Sequence, residues 1–337
     1  MTFYYHRRQR FLGIALVVIS LAFHLGTVAL YQRQPDLFAA FTIFPIWIWG
    51  LIGGGLAALA YLVFRAPMSL LTAGAWALTV FLFADETLPL GRLGSERPKP
   101  GIPERHLGQD VLRVATINWA GSPGNFSPTI IKYNPDIVCI QEIPHPYRLR
   151  QLNQSLYQGK GDYRYDARKR CGVVVRGDIL FHQRNPRFRS QQVTIQLPDS
   201  RIVEVANLHL TASATDMRLW ELECWKDHRT NRQIRRAELA IVLYNLKATA
   251  PKGGSGLIVA GDFNAPANDN IYRLLDRDMV NTFDAVGTGW PNTYHRRIPI
   301  MRLDHIYVNN QLRPVRSRAV TVPESDHRMV VSDLVFQ

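Results

Sequence analysis

Cysteine is scarce in this chain: Cys139, Cys171 and Cys224 are the only three in 337 residues. They lack metal-type spacing, and their odd number argues against a disulfide framework, a single bridge aside. Cys139 sits inside an apolar run and reads as a small core residue. Internal repeats and low-complexity tracts are missing as well, so the chain is not a repeat array. Acidic residues are outnumbered, 27 Asp/Glu against 40 Lys/Arg, for a net charge of +13. Most of that excess falls in residues 111–337, with 31 basic against 21 acidic side chains. A basic surface of this kind favours anionic partners: nucleic acid, phosphorylated small molecules or anionic lipid headgroups.

Charge is nearly absent from the first quarter. After His6-Arg7-Arg8-Gln9-Arg10 comes an apolar run over 11–31, then a second over 41–64 and a shorter third over 68–84. About twenty apolar residues span a bilayer core. The first run is longer than a secretory h-region and lacks a small-residue cleavage site. Residues 1–84 are therefore expected to form a membrane domain with three transmembrane helices. Pro67 and Gly74 shorten the third, and its crossing decides the sidedness. Gly53-Gly54-Gly55 permits close helix approach, and His24 is a polar residue near one end of the first span. With the basic N-terminus held in the cytoplasm, three crossings put the remainder on the outer face of a bacterial-type inner membrane. Residues 85–110, rich in Pro and Gly, read as an exposed, semi-extended tether.

The soluble part, 111–337, repeats one design: a short buried strand ending in a polar residue. Leu257 to Ala260 runs into Gly261-Asp262-Phe263-Asn264, where alternation allows Asp262 and Asn264 to share a face. Val111 to Asn118, 135–142 ending in Glu142, and 201–209 ending in His209 follow the same pattern. A helix is expected near 127–133 with Pro128 in its first turn, and a hairpin around Pro198-Asp199-Ser200. Arg302 to Val308 is a strand carrying Asp304, and Asp326-His327 forms a turn before the last apolar strand.

Other basic and aromatic residues have ordinary readings. Arg168-Lys169-Arg170 reads as a basic loop, or the lining of an anion site. Arg232, Arg235 and Arg236 lie at the basic end of a helix whose apolar stripe is Leu239, Val242, Leu243 and Leu246, and read as a solvated turn or, beside a phosphate site, as binders of backbone anions. Trp220 and Trp225, before that helix, suit core packing, stacking or membrane contact.

Taken singly, each strand-end group is as consistent with a solvated turn as with chemistry. Together, Thr116-Ile117-Asn118, Gln141-Glu142, Asn207-Leu208-His209, Gly261-Asp262-Phe263-Asn264, Arg302-Leu303-Asp304-His305-Ile306 and Ser325-Asp326-His327 resemble, in order, the motifs of the endonuclease/exonuclease/phosphatase superfamily, whose members include DNase I-like nucleases. The resemblance covers 111–337. It implies an α/β (α+β) four-layer sandwich: two mixed sheets packed face to face, helices outside and a site at one rim. It further implies Asn118, Glu142 and Asp326 as ligands to Mg²⁺ or Mn²⁺, with oxygen donors suited to a hard cation. Asp262, positioned by Asn264, would orient or deprotonate water. His327, paired with Asp304, would contact the phosphate, and His209 would donate to a phosphate oxygen. Whether Asp262 or His327 is the base stays open, with Asp262 preferred.

The expected function is thus a membrane-anchored, metal-dependent phosphoesterase acting on phosphodiester bonds, nuclease-like given the basic surface. A phospholipid headgroup hydrolase and a non-catalytic phosphate-binding scaffold are the alternatives. Expected partners are a phosphate-ester substrate and the bilayer, with no protein partner.

Overall fold

The computed structural model describes residues 2–93, 111–122, 128–168, 170–184, 190–213, 216–249 and 255–337. The chain divides into two compact units, Met1–Thr87 with Asp216–Arg229, and Leu88–Thr215 with Thr230–Gln337.

In the first unit, helix α1 (Thr2–Arg33) is followed by a 3-10 turn, α2 (Ala39–Thr42), α3 (Ile46–Phe64) and α4 (Ser69–Phe83). The second apolar run, expected to be continuous over 41–64, is broken between Thr42 and Ile46. Pro45 explains the break: it lacks an N–H, disfavours helix at the preceding residue and starts α3 as its N-cap. Of the triple glycine, Gly53 allows the close approach. A Cβ on Gly53 would overlap the Trp76 indole of α4, and Gly53 also accepts a hydrogen bond from Ser20 Oγ of α1 at 2.7 Å. His24 Nε2 meets Thr79 Oγ1 at 2.7 Å, so this polar residue is partnered within the helices. Two helices, over Gln9–Arg33 and Ile46–Phe64, are long and apolar enough to cross a membrane, and Ser69–Phe83 is shorter. Helix α5 (Thr87–Gly91) stands where a semi-extended tether was expected to begin, and 94–110 lie outside the described residues.

The second unit contains two six-stranded sheets. Its strands are β1 (Val111–Asn118), β2 (Ile137–Gln141), β3 (Asp162–Asp166), β4 (Cys171–Val175), β5 (Asp178–Arg184), β6 (Ser190–Gln196), β7 (Ile202–His209), β8 (Gly256–Asp262), β9 (Met279–Asn281), β10 (Asp304–Asn309), β11 (Leu312–Thr321) and β12 (Arg328–Phe336). The sheet orders are β11-β12-β1-β2-β4-β3 and β5-β6-β7-β8-β10-β9. Both are mixed: β1–β2 and β7–β8 are parallel, and the other pairings are antiparallel. The hairpin expected around Pro198-Asp199-Ser200 joins β6 to β7.

Strand alternation builds the layers. Leu112, Val114, Ile137, Cys139, Val173 and Val175 of one sheet meet Val203, Val205, Ile258, Ala260, Ile306 and Val308 of the other in the central core. The intervening residues face outward. Ala115, Ile117, Val138 and Ile140 pack with helices α6 (Pro128–Tyr133) and α7 (Tyr147–Tyr157), through Ile130, Leu149 and Leu152. Ala206, Leu208 and Val259 pack under Leu239, Val242, Leu243 and Leu246 of α8 (Leu222–Thr249). The result is helix, sheet, sheet, helix, the four-layer sandwich the motifs implied. Short α9 (Thr282–Val286) follows β9.

Candidate active site at the sandwich rim

Extending the inward-facing row of each central strand to its end gives the site. The row Leu112, Val114, Thr116 ends at Asn118, and Ile137, Cys139 ends at Gln141. In the other sheet, Val203, Val205 continue to Asn207 and His209, Ile258, Ala260 to Asp262, and Ile306 back to Asp304. Register then sets them side by side: Asp262 pairs with His209 on one flank and with Asp304 on the other. Asn118, His209, Asp262, Asp304 and His327 are all at most 5 % exposed. Buried polar groups at this density are costly unless partnered.

A chain of contacts supplies partners. Asn118 Nδ2 donates to Asp262 Oδ2 at 2.9 Å and to Glu142 Oε1 at 3.2 Å. Glu142 Oε1 lies 3.4 Å from His209 Nε2. His327 Nδ1 is 2.8 Å from Asp304 Oδ2, while its Nε2 is 4.0 Å from Asp262 Oδ2. Asp262, Asp304 and His327 each offer an atom within 4.8 Å of the others, a cluster with the capacity to hold a divalent cation.

Three expected residues are positioned differently from the sequence pattern. Strand β8 ends at Asp262, so alternation does not carry Asn264 to the same face; it has φ +50° instead. Its backbone N–H donates to Asp262 Oδ1 at 2.8 Å, and its side chain donates to the Leu210 carbonyl. Glu142 also lies just beyond its strand, at φ +54°, and reaches the rim with its side chain about one-third exposed. Asp326 is half-buried next to His327, and no hydrogen bond joins it to Asn118 or Glu142 among the described residues. Its backbone carbonyl accepts from Arg296, and its Oδ1 is buried without a hydrogen bond.

Sequence reasoning missed several supporting groups. Gln141 Nε2 donates to Asn207 Oδ1 at 2.6 Å, a polar bolt between the sheets behind the site. Both residues stand in the motifs, and strand alternation was the signal that could have found them. Ser325 Oγ donates to the Asn118 carbonyl and accepts from the His327 N–H, tying the last turn to β1. Thr293 Oγ1 accepts from the Asp304 N–H at 3.2 Å, and the Tyr294 ring lies 5.0 Å from the His327 ring.

Arg232, Arg235 and Arg236 of α8 are partnered rather than available to an anion. Arg232 Nε meets Asp269 at 3.0 Å, Arg235 is 3.7 Å from the same carboxylate, and Arg236 donates to Asn270. Together with Glu238, which accepts from Thr211 N and Oγ1, Arg235 holds the segment after His209 by donating to the Thr211 carbonyl. Arg170 donates to the Glu142 carbonyl, whereas Lys169 lies outside the described residues.

Electrostatics follow from this crowding. Burial pushes the Asp262 carboxyl above its ordinary range, reinforced by Asp304 and opposed by His327, His209 and Asn118. Burial alone would lower the His327 imidazole, but Asp304, Asp262 and Asp326 more than offset it and bring it to about 10. His327 is therefore an imidazolium at neutral pH, with a carboxylate holding each side.

The model of the Endonuclease/Exonuclease/phosphatase family matches residues 115–327. No curated protein matches the chain significantly. Among solved structures, an endonuclease/exonuclease/phosphatase from Bacteroides vulgatus aligns at TM-score 0.52 and 17 % identity, covering 68 % of this chain and 100 % of its own. A mannosyl-6-phosphatase from Bacteroides thetaiotaomicron aligns at 0.52 and 15 %, covering 67 % and 100 %. A protein described as functionally unknown from Enterococcus faecalis gives 0.51 and 14 %, covering 67 % and 100 %. At these identities the structures speak for the fold alone, but the family model spans well over half of the chain, from β1 to His327. The chain belongs to the endonuclease/exonuclease/phosphatase family.

Proposed function

We propose that the protein is a membrane-anchored, divalent-metal-dependent phosphoesterase that hydrolyses phosphodiester bonds, with nucleic acid as the substrate class. The observation that carries this reading is the continuous contact chain from Glu142 through Asn118 to Asp262, abutting the His327–Asp304 pair at one rim.

The donor set fits a hard cation. Glu142 is accessible, while Asp304 Oδ1 and Asp326 Oδ1 are buried oxygens without hydrogen bonds. Asp262, Asp304 and His327 converge, but His327 Nδ1 and Asp304 Oδ2 already face each other at 2.8 Å, and a cation there would compete with that pair. We therefore assign the cation to Glu142 and the side-chain oxygen Oδ1 of Asn118, with Asp326 nearby. Asn118 Oδ1 also accepts from the Ala120 N–H, which fixes the amide's orientation. A bound Mg²⁺ or Mn²⁺ supplies a Lewis acid that polarises a phosphoryl oxygen and offsets charge on the leaving group.

The protein's own side chains do the rest. Asp262 accepts the proton of the attacking water. Its raised pKa makes it a better base than an ordinary carboxylate, and Asn264 N–H and Asn118 Nδ2 hold its two oxygens. His327, already protonated, cannot take that proton and instead donates to a phosphoryl oxygen, oriented by Asp304. His209 donates beside Glu142.

The membrane anchor is supported by the first unit's surface. Ile14, Val18, Leu25, Leu51, Leu62, Leu71, Leu78 and Phe81 are all more than 50 % exposed on its helices. The core helices of a water-soluble bundle bury such residues. That same surface favours a second reading, a phospholipid headgroup phosphodiesterase or phosphatase.

The test is hydrolysis by the full chain, in lipid vesicles with Mg²⁺, of DNA, RNA, phospholipid and bis-p-nitrophenyl phosphate. Nucleic acid cleavage that weakens steeply with salt supports the first reading. Turnover of lipid alone supports the second. Rates equal in wild type, Asp262→Ala and His327→Ala on every substrate would overturn the catalytic assignment.

A further inference from the structure

In sequence, β7 and α8 are joined by a segment that does not pack as part of the sandwich core. From Asp216 on it belongs to the helical unit instead, together with the start of α8 as far as Arg229. Leu219 packs against the cluster of Tyr31, Ile46, Trp49 and Trp76, and the Trp225 ring stands edge-on to Phe38 at 5.9 Å. Tyr31 is near the C-terminus of α1, Ile46 opens α3, and Ala84 at the end of α4 packs on the same cluster. These contacts gather at the end of the helices opposite the basic N-terminus.

The segment is tied by its own hydrogen bonds. Trp225 Nε1 donates to the Leu219 carbonyl at 2.8 Å, while Arg218 binds Asp216 through Nε at 3.0 Å and through a second nitrogen at 2.7 Å. The Asp216 carbonyl is met by Cys224 Sγ at 3.5 Å and by a ring nitrogen of His228. Yet the same framework leaves Trp220 79 % and Leu222 78 % exposed, with Met217 40 % exposed beside them. A hydrogen-bonded segment that displays Trp and Leu between Arg218, Glu221 and Lys226 has the composition of an element seated at a bilayer surface, with the indole at headgroup level.

We propose that Met217–Leu222 is an interfacial anchor: Trp220 and Leu222 enter the boundary between headgroups and acyl chains of the membrane that holds the helical unit. The occupant is lipid, because the segment packs through Leu219 on the cluster that joins the ends of α1, α3 and α4, helices that themselves expose apolar side chains. This inference rests on the membrane reading of that unit.

The experiment uses the full chain reconstituted into phosphatidylethanolamine/phosphatidylglycerol vesicles. The three native cysteines are free and buried, so a Trp220→Cys variant can be labelled with an environment-sensitive fluorophore against an unsubstituted background control. Leu62→Cys on exposed α3 and Leu180→Cys on exposed β5 serve as references. The expected result is blue-shifted emission at 220, quenched more by nitroxide at the headgroup boundary than at the bilayer centre. The label at 62 is quenched by acyl-chain nitroxide and that at 180 by neither. A label at 62 in lipid with an unquenched label at 220 overturns the anchor and leaves the membrane reading standing. A blue shift at 220 without lipid quenching overturns it too, since protein then covers the loop. Loss of quenching at both 62 and 220 overturns the membrane reading itself.

Discussion

His327 Nδ1 sits 2.8 Å from Asp304 Oδ2, both side chains being buried, while His327 Nε2 remains 4.0 Å from Asp262. One ring nitrogen is thus committed to orientation, and the other faces the carboxylate at the end of β8. The pair joins a turn that follows β11 to a strand of the opposite sheet, and Ser325 secures that turn by donating to the Asn118 carbonyl.

Asp304→Asn is expected to lower kcat by about 10²–10⁴-fold, in the range of a lost or misoriented acid–base partner. The pH profile gives the sharper test. Asp304 is the leading group holding the imidazole up at about 10, so the variant's alkaline limb moves to lower pH. In linkage terms, His327 stabilises the wild-type fold fully below its ordinary 6.5, and that contribution is lost as pH rises through about 10. A variant with reduced rate but an unmoved alkaline limb would show that Asp304 acts on packing instead.

Glu142→Gln should separate cation binding from folding. Its side chain is about one-third exposed and beyond the end of β2, so its removal is expected to change stability by about 0.5 kcal/mol or less. The Mg²⁺ concentration giving half-maximal activity should rise about 10–100-fold. Chelation by EDTA should abolish wild-type activity, with recovery on adding Mg²⁺ or Mn²⁺. A metal titration unchanged in the variant would move the cation away from Glu142, toward the Asp262, Asp304 and His327 cluster.

Much of this geometry was legible because strand alternation is a local rule. Asn118, His209, Asp262 and Asp304 all end or begin rows whose apolar members form the central core, and period two carries that row to the rim. The rule stops where the strand stops. Glu142 and Asn264 follow their strands in left-handed conformations, so no count along the chain could fix where they point. The burial of Arg232 and Arg235 was hidden for a different reason. Their acid, Asp269, lies 37 residues from Arg232, and a basic helix turn gives no local sign of a distant carboxylate. Pro45, by contrast, was a visible local signal, and it divides the second apolar run as its chemistry requires.

Gly261 should tolerate no side chain. It has φ +144°, and a Cβ there would overlap the carbonyl oxygen of Leu208 on neighbouring β7. Gly261→Ala is expected to cost about 3 kcal/mol or more, combining backbone strain with overpacking. Because Asp262 is the next residue, partial relaxation would also shift that carboxylate and lower activity in whatever protein folds. Chemical denaturation monitored by circular dichroism, with turnover measured on the folded fraction, checks both. Wild-type stability in the variant would show that β7 and β8 separate readily at this point.

Glu204 provides a pH test away from the site. It is fully buried on the face of β7 that also carries Ala206 and Leu208, and its Oε1 accepts from Thr194 at 2.8 Å. Burial raises its carboxyl from 4.5 to about 6 despite the hydrogen bonds from Thr194 and Gln192. The folded state therefore holds this proton more tightly than the unfolded chain does. Its stabilising contribution is complete below pH 4.5 and is lost as pH rises through about 6. Above that, the ionised group penalises the fold by about 2 kcal/mol, from a shift of this size at 1.36 kcal/mol per unit. Glu204→Gln retains an oxygen for Thr194 and removes the charge. The variant should accordingly be more stable than wild type at pH 8, by up to about 2 kcal/mol, with the difference closing toward pH 4.5. Denaturant midpoints for both proteins at the two pH values measure it, and a constant difference across that range would mean Glu204 keeps an ordinary carboxylate pKa in the fold.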